Sequence, residues 1–150
     1  MNSAQKWYVK GGAYRLNGRP EALDRDEKKL AAEFVAMFDN ITPLDNEMLL
    51  YRGVGNGTYT NQLGSYWSTS SDDKIAESFT EERLVNTRRG WRAIKTGEVL
   101  IIRVQPGVRV MEIGGVQREF VIERNVTVAE TMRRKNGEMT YIWLTISPVE

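Results

Sequence analysis

Three short stretches carry the side chains best suited to chemistry: YRG (51–53), WSTS (67–70) and QRE (117–119). Arg52 stands at the end of an apolar run, LLYRGVG, where a guanidinium needs an anion. Its planar fork suits an internal carboxylate or a bound carboxylate or phosphate. Ser68, Thr69 and Ser70 lie between a Trp and a helix start, so they are helix caps or three hydroxyls gathered at one place. In VQREFVIE (116–123), the period of a strand sets Gln117 and Glu119 on one face, toward water or toward a polar site. With no Cys and no His among 150 residues, the chain cannot build the usual zinc site, a Cys or Ser/His catalytic pair, or a His general base. Its chemistry must run on carboxylates, hydroxyls, amides and cations.

The elements that would position these residues can be read from hydrophobic periodicity. DRDEKKLAAEFVAMFDN puts Leu30, Ala31, Phe34, Val35 and Phe38 on one helical stripe, and Asp24 with Glu27 forms a capping pair at its start. EMLLYRGVG reads as a buried strand stopped by glycines, followed by a Gly/Asn/Thr loop. GSYWSTSSDD reads as a short strand entering a helix capped by Ser71 or Asp72, with Ile75, Ala76 and Phe79 turned inward. From Glu98 onward the period is that of strands, in GEVLIIRVQPG, VRVMEIGG, VQREFVIERNVTVAETMRRK and MTYIWLTISP, with a turn at RKNGEM. Helices first and strands after argue for an α+β fold.

The composition is that of an ordinary single globular domain, 41% hydrophobic and 27% charged, and it contains no repeat, low-complexity tract or membrane-spanning run. The net charge of +1 gives no bulk attraction to nucleic acid or membrane, so electrostatic binding must come from the local clusters TRRGWR and RRK.

Taken in order, YRG, an aromatic-Ser-Thr-Ser at a helix start, and Gln-x-Glu on a late strand resemble the Arg-Ser-Glu branch of the ADP-ribosyltransferases, the cholera-toxin-like and clostridial exoenzyme-like proteins. GEVLIIRVQPGVRVMEI and REFVIERNVTV resemble the family's strands around the catalytic one, and YRLNGRP resembles its Asn followed closely by Arg. The likeness covers about residues 14–128. The absence of His fits this branch and not the diphtheria-toxin and poly-ADP-ribose branch.

The resemblance implies N-terminal helices packed on two mostly antiparallel sheets that form an NAD cleft, in a single domain over 1–150. It implies NAD as substrate and no metal. Glu119 would accept a hydrogen bond from the ribose 2′-hydroxyl and stabilise an oxocarbenium-like centre. Nicotinamide leaves as a neutral molecule, so one carboxylate suffices. Ser68 would hydrogen-bond Glu119, and Thr69 and Ser70 would steady the backbone beside the dinucleotide. Arg52, with Gly53, would bind the diphosphate, helped by Asn17 and Arg19. Residues 85–98 would form a mobile loop over the phosphates and nicotinamide, with Arg88, Arg89 or Arg92 reaching a phosphate and Trp91 covering a ring; a solvated basic loop is the first alternative, and a nucleic-acid contact by the same arginines and Trp a second with little else in the sequence behind it.

Gln117 would act on the acceptor, and because it offers no base, arginine is disfavoured as the target. The segment MEIGGVQ is shorter than the corresponding loop of the Rho-modifying members and lacks its aromatic residue, which leaves the acceptor open. The implied partner is a macromolecular acceptor, a host protein first and a nucleic acid second. A monomer without membrane attachment, acting in the cytosol after delivery from a phage or toxin system, completes the expectation. An NAD glycohydrolase and a non-catalytic interaction module on the same fold are the alternatives.

Overall fold

The computed structural model describes residues 1–55 and 58–149. Asn56 and Gly57, in the expected Gly/Asn/Thr loop, lie outside the described residues. Three helices open the chain: α1 (Ser3–Trp7), α2 (Ala13–Gly18) and α3 (Arg25–Met37). A wide turn over Tyr8–Gly12 bends the first into the second, with Gly11 at φ 114°, a backbone that L side chains resist. Asp24 caps α3 by accepting a 2.8 Å hydrogen bond from the Glu27 amide. The reciprocal half of the expected capping pair is not made, because the Glu27 carboxylate accepts from Trp7 Nε1 at 3.0 Å and from Arg15. One side chain therefore ties α1 and α2 to α3.

Ala31, Phe34 and Phe38 form the buried stripe of this helical layer, with Leu30 and Val35 half-buried at its edges. Phe34 stacks on Tyr8 with ring centroids 4.3 Å apart, and Phe38 stacks on Tyr66 at 5.1 Å. These aromatics, with Met111 and Val121, make a core between the helices and one part of the sheet.

The strands are β1 (Met48–Val54), β2 (Trp67–Ser70), β3 (Glu81–Thr87), β4 (Gly90–Val104), β5 (Val110–Gly114), β6 (Glu119–Ile122), β7 (Val126–Asn136) and β8 (Met139–Pro148), with a short helix α4 (Asp73–Ser78) after β2. They hydrogen-bond in the order β5-β6-β2-β1-β4-β8-β7, and β3 pairs with β4 off this path. All pairings are antiparallel except β4 with β8.

The two expected sheets are thus joined into one path, and the joint is narrow: β1 and β2 meet at one residue pair, Tyr51 with Ser70. On either side of it the path folds over. Leu50, Leu100, Ile102, Ile142, Leu144 and Ile146 from one side share a core with Trp67 and Ile122 from the other.

Three expectations are corrected. Gln117 is not on a strand, because β6 begins at Glu119 and residues 115–118 form a turn closed by the Arg118 amide on the Gly115 carbonyl at 3.1 Å. Gly114, Gly115 and Arg118 all take positive φ there, so the pleat cannot run through. Residues 85–98 form strand and not loop: Arg88 and Arg89 are the two-residue turn of a β3–β4 hairpin in which Thr87 pairs with Gly90. Phe79 is 53% exposed instead of facing inward, because at the end of α4 it lies against an open cavity and not against the core.

Gly53 is fixed by close packing. A Cβ at this position would stand 1.8 Å from the Ala76 carbonyl oxygen of α4. Gly53→Ala is expected to lower stability by about 1–3 kcal/mol through forced separation of α4 and β1, read as a reduced urea midpoint; an unchanged midpoint would mean that α4 shifts freely.

Candidate active site

The site forms where β1 and β2 part. Arg52 shares the core-facing side of β1 with Leu50 and Val54, which is why it is half-buried. At the seam its NH1 donates to the Ser68 carbonyl at 2.5 Å. A side chain thus bonds a backbone group beside the single-pair ladder.

On β2 the three hydroxyls divide by strand alternation. Thr69 faces the side of Phe120 and donates to the Phe120 carbonyl at 2.7 Å. Ser68 and Ser70 face the other side, with Glu119 and Val121 opposite. Ser70 Oγ donates to the Gln117 carbonyl at 2.7 Å and accepts from the Asp72 amide at 3.1 Å, so it holds the turn that carries Gln117 against the start of α4. The Ser71 amide adds a bond to the Arg118 carbonyl at 3.2 Å.

The expected bond between Ser68 and Glu119 is not formed. Ser68 Oγ is hydrogen-bonded to the Tyr8 hydroxyl at 2.9 Å. Opposite Glu119 in the ladder is Ser70, and Ser68 is one diagonal step away. Glu119 Oε2 is left buried with no hydrogen-bond partner among the described residues.

A cavity of about 400 Å³ opens over this seam. Arg52, Gly53, Ser68, Thr69, Ser70, Gln117 and Glu119 all line it, and Val9, Ile75 and Phe79 give it an apolar wall. Gln117 and Glu119 therefore do meet at one place, through a turn and not through a pleat. A second cavity of about 330 Å³ adjoins the first, sharing Arg52 and Ser68, and is bounded by Tyr14, Asn17 and Tyr66.

Asn17 clamps the Tyr66 backbone, accepting from its amide at 2.9 Å and donating to its carbonyl at 3.3 Å. Its amide is thereby engaged in fixing α2 to the entry of β2. Arg19 is exposed and lines neither cavity. Arg88, Arg89, Arg92 and Trp91 line a depression of their own at the hairpin turn, apart from Glu119. The structure does not bring them to the seam.

Burial sets the electrostatics. It raises the Glu119 carboxyl above its ordinary value, and the attraction of Arg52 only partly offsets this. Burial likewise lowers the Arg52 guanidinium, against the pull of Tyr8 and Glu119. The Tyr8 hydroxyl is raised, again chiefly by burial. A carboxylate held in this way, facing a cation, is suited to meeting positive charge that develops beside it.

Tyr8 is the site residue that sequence reasoning missed. Its one signal was the pair Trp7–Tyr8 before a Gly pair, since adjacent aromatics on a helix must face different neighbours.

A raised pKa in the folded state means that folding favours protonated Glu119. That contribution is complete below the ordinary value of 4.5 and is lost as pH rises through the folded-state value. Glu119→Gln is therefore expected to raise the thermal midpoint at pH 7, with the gain vanishing near pH 4. Midpoints of both proteins across this range check it; a less stable Gln variant at pH 7 would show that attraction to Arg52 outweighs desolvation.

No family model matches the chain, and no curated protein matches it in sequence. Solved structures do. Exoenzyme S from Pseudomonas aeruginosa, in complex with human 14-3-3 protein beta and bound to carba-NAD, is 15% identical with a TM-score of 0.65 over 97% of this chain and 74% of that one. An ADP-ribosyltransferase from Clostridium botulinum is 13% identical with a TM-score of 0.64, covering 98% of this chain and 88% of its own. A protein from S. aureus, solved with NAD, is 12% identical with a TM-score of 0.62, covering 97% and 87%. The chain has the ADP-ribosyltransferase fold.

Proposed function

We propose that the chain is a mono-ADP-ribosyltransferase that cleaves NAD at the nicotinamide–ribose bond and transfers ADP-ribose to a macromolecular acceptor. One observation carries the reading: Glu119 Oε2 is buried without a hydrogen-bond partner among the described residues, in a cavity of about 400 Å³ that also contains Arg52. A cavity of this size suits a nucleoside portion of a dinucleotide. Arg52 and Ser68 line both adjoining cavities, so a diphosphate at the guanidinium would send one nucleoside toward each. The structures of exoenzyme S bound to carba-NAD and of the S. aureus protein with NAD support NAD as the dinucleotide.

In this reading Glu119 accepts a hydrogen bond from a ribose hydroxyl, and its negative charge stabilises the cationic ribosyl centre as neutral nicotinamide leaves. Ser68, held by Tyr8, positions the backbone carbonyl that Arg52 grips. Gln117, exposed at the mouth, meets the acceptor with an amide, able to orient an attacking group and unable to deprotonate it.

The test is incubation of the wild-type and Glu119→Gln proteins with labelled NAD and a cell lysate, following free nicotinamide and labelled macromolecules. Glu119→Gln is expected to lower nicotinamide release by on the order of 10² to 10³, with label on protein in the wild type. Nicotinamide release without label would make water the acceptor and the protein a glycohydrolase. Equal rates for the two proteins, or no NAD binding by titration, would overturn the assignment.

A further inference from the structure

The β3–β4 hairpin is an arm. β4 is continuous from Gly90 to Val104, but it changes partners along its length. From Gly97 onward it pairs with β8, and from Glu98 with β1, whereas Gly90 to Thr96 pair with β3 alone. Gly97, at φ 125°, marks the change, and a Cβ there would lie 2.4 Å from the Val54 carbonyl oxygen. Beyond it one face of the ribbon is exposed, with Leu84 at 67% and Trp91 at 71%, while Val85 and Ile94 on the other are half-buried. A two-stranded ribbon in water is marginal by itself, and leaving its largest apolar side chains uncovered calls for an occupant.

The chemistry of that occupant can be read from the charges. The arm from Glu81 to Thr96 contains five cations and two acids, both acids at its base, so of the chain's net charge of +1 it carries +3 and the rest −2. Its outer part, residues 83–96, holds all five cations and no acid. The second basic cluster is at the same end. Gly97 pairs with Met139, Met139 with Asn136, and Arg83 at the base of the arm is bonded to Glu138 at 3.4 Å. Arg134 and Lys135, exposed just before that turn, extend the basic surface.

Register orders the side chains. Trp91, Leu84 and Lys95 share one face of the ribbon, Arg92 lies on the other, and Arg88 and Arg89 form the turn. An uncovered indole flanked by guanidinium forks pairs a stacking platform with phosphate-binding groups. An acidic protein surface would use the cations and leave the flat face of Trp91 without a counterpart; an unpaired base uses both.

We propose that the β3–β4 arm binds single-stranded nucleic acid, with a base stacked on Trp91 and the phosphates on Arg88 and Arg89 of the turn. None of these residues lines the Glu119 cavity, so the surface stands apart from the NAD reading.

The test is fluorescence anisotropy of the whole chain with labelled single-stranded DNA and RNA of about 16 nucleotides, with duplex DNA and polyglutamate in parallel, over a range of salt. Single strands are expected to bind with affinity that falls as salt rises. Trp91→Ala should weaken binding about 5- to 150-fold, as loss of one stacked base does, and Trp91→Phe should restore most of it. Replacing Arg88 and Arg89 with Gln should reduce the salt slope by about 1.4, from roughly 0.7 per phosphate contact. Unfolding midpoints equal to wild type in these exposed variants separate lost contact from lost fold. No binding at low salt, tighter binding of duplex, or equal binding of polyglutamate with Trp91→Ala neutral would each overturn the proposal, the last in favour of an acidic protein partner.

Discussion

The structure depends on the narrowness of one joint. β1 and β2 are held together by the pair Tyr51 and Ser70, and beside it the Arg52 guanidinium bonds the Ser68 carbonyl. A longer ladder would have made the sheet continuous and flat, with no opening between its halves. A shorter one would have left the halves unconnected, with backbone groups unpaired at a buried place. The side-chain bond lets the path fold over while the Ser68 carbonyl keeps a partner. Burying a guanidinium is expensive, and the arrangement is tolerable because that carbonyl accepts from it and the Glu119 carboxylate attracts it.

From that joint follows the division of work among neighbours. Alternation on β2 sends Thr69 to one side and Ser68 and Ser70 to the other. Thr69 and Ser70 secure the two ends of the β6 entry through the Phe120 and Gln117 carbonyls. Ser68 is taken by Tyr8, whose ring is fixed by Phe34, so the helical layer reaches the seam through a single aromatic. Every hydroxyl in the run is engaged, and Glu119 alone has a buried oxygen with nothing from the described residues to meet it. A group left in that state at rest can gain the most when a donor or a positive centre arrives.

Much of this was legible in the sequence, and the reasons differ by element. The strands from 98–104 and 139–148 were readable because both their faces are largely apolar, and Asp24 was readable because capping is local. The three polar motifs were legible as a set by order and resemblance. What failed were inferences that needed the backbone itself. Period two was extended through Gln117, where Gly114, Gly115 and Arg118 turn the chain at positive φ. TRRG was read as loop, although Thr87 Oγ1 donates to the Gly90 carbonyl at 2.7 Å and closes a hairpin there. Tyr8 was missed because the adjacent aromatics Trp7 and Tyr8 signal only a packed helix, and its partner Ser68 is sixty residues away in sequence.

The candidate site can also be located without any relative. Local rules agree with the fold along α3, β8 and the inner half of β4, where pattern, cap and burial point the same way. The exceptions cluster. A cation on a core-facing position, a strand glycine that admits no Cβ, a ladder of one pair, a non-glycine at φ 47° and a carboxylate oxygen without a partner all border the same cavity or the turn beside it. Each weakens the fold locally, and scattered at random they would be separate faults. Gathered on one opening, they are what is expected where selection has acted on something other than stability. The β3–β4 arm is a further exception, with Trp91 uncovered, and it meets the cavity wall at both its ends, where β3 follows Phe79 and where β4 pairs with β1 beyond Gly97. The arm and the cavity are thus continuous through β4 on one side and through α4 and β3 on the other.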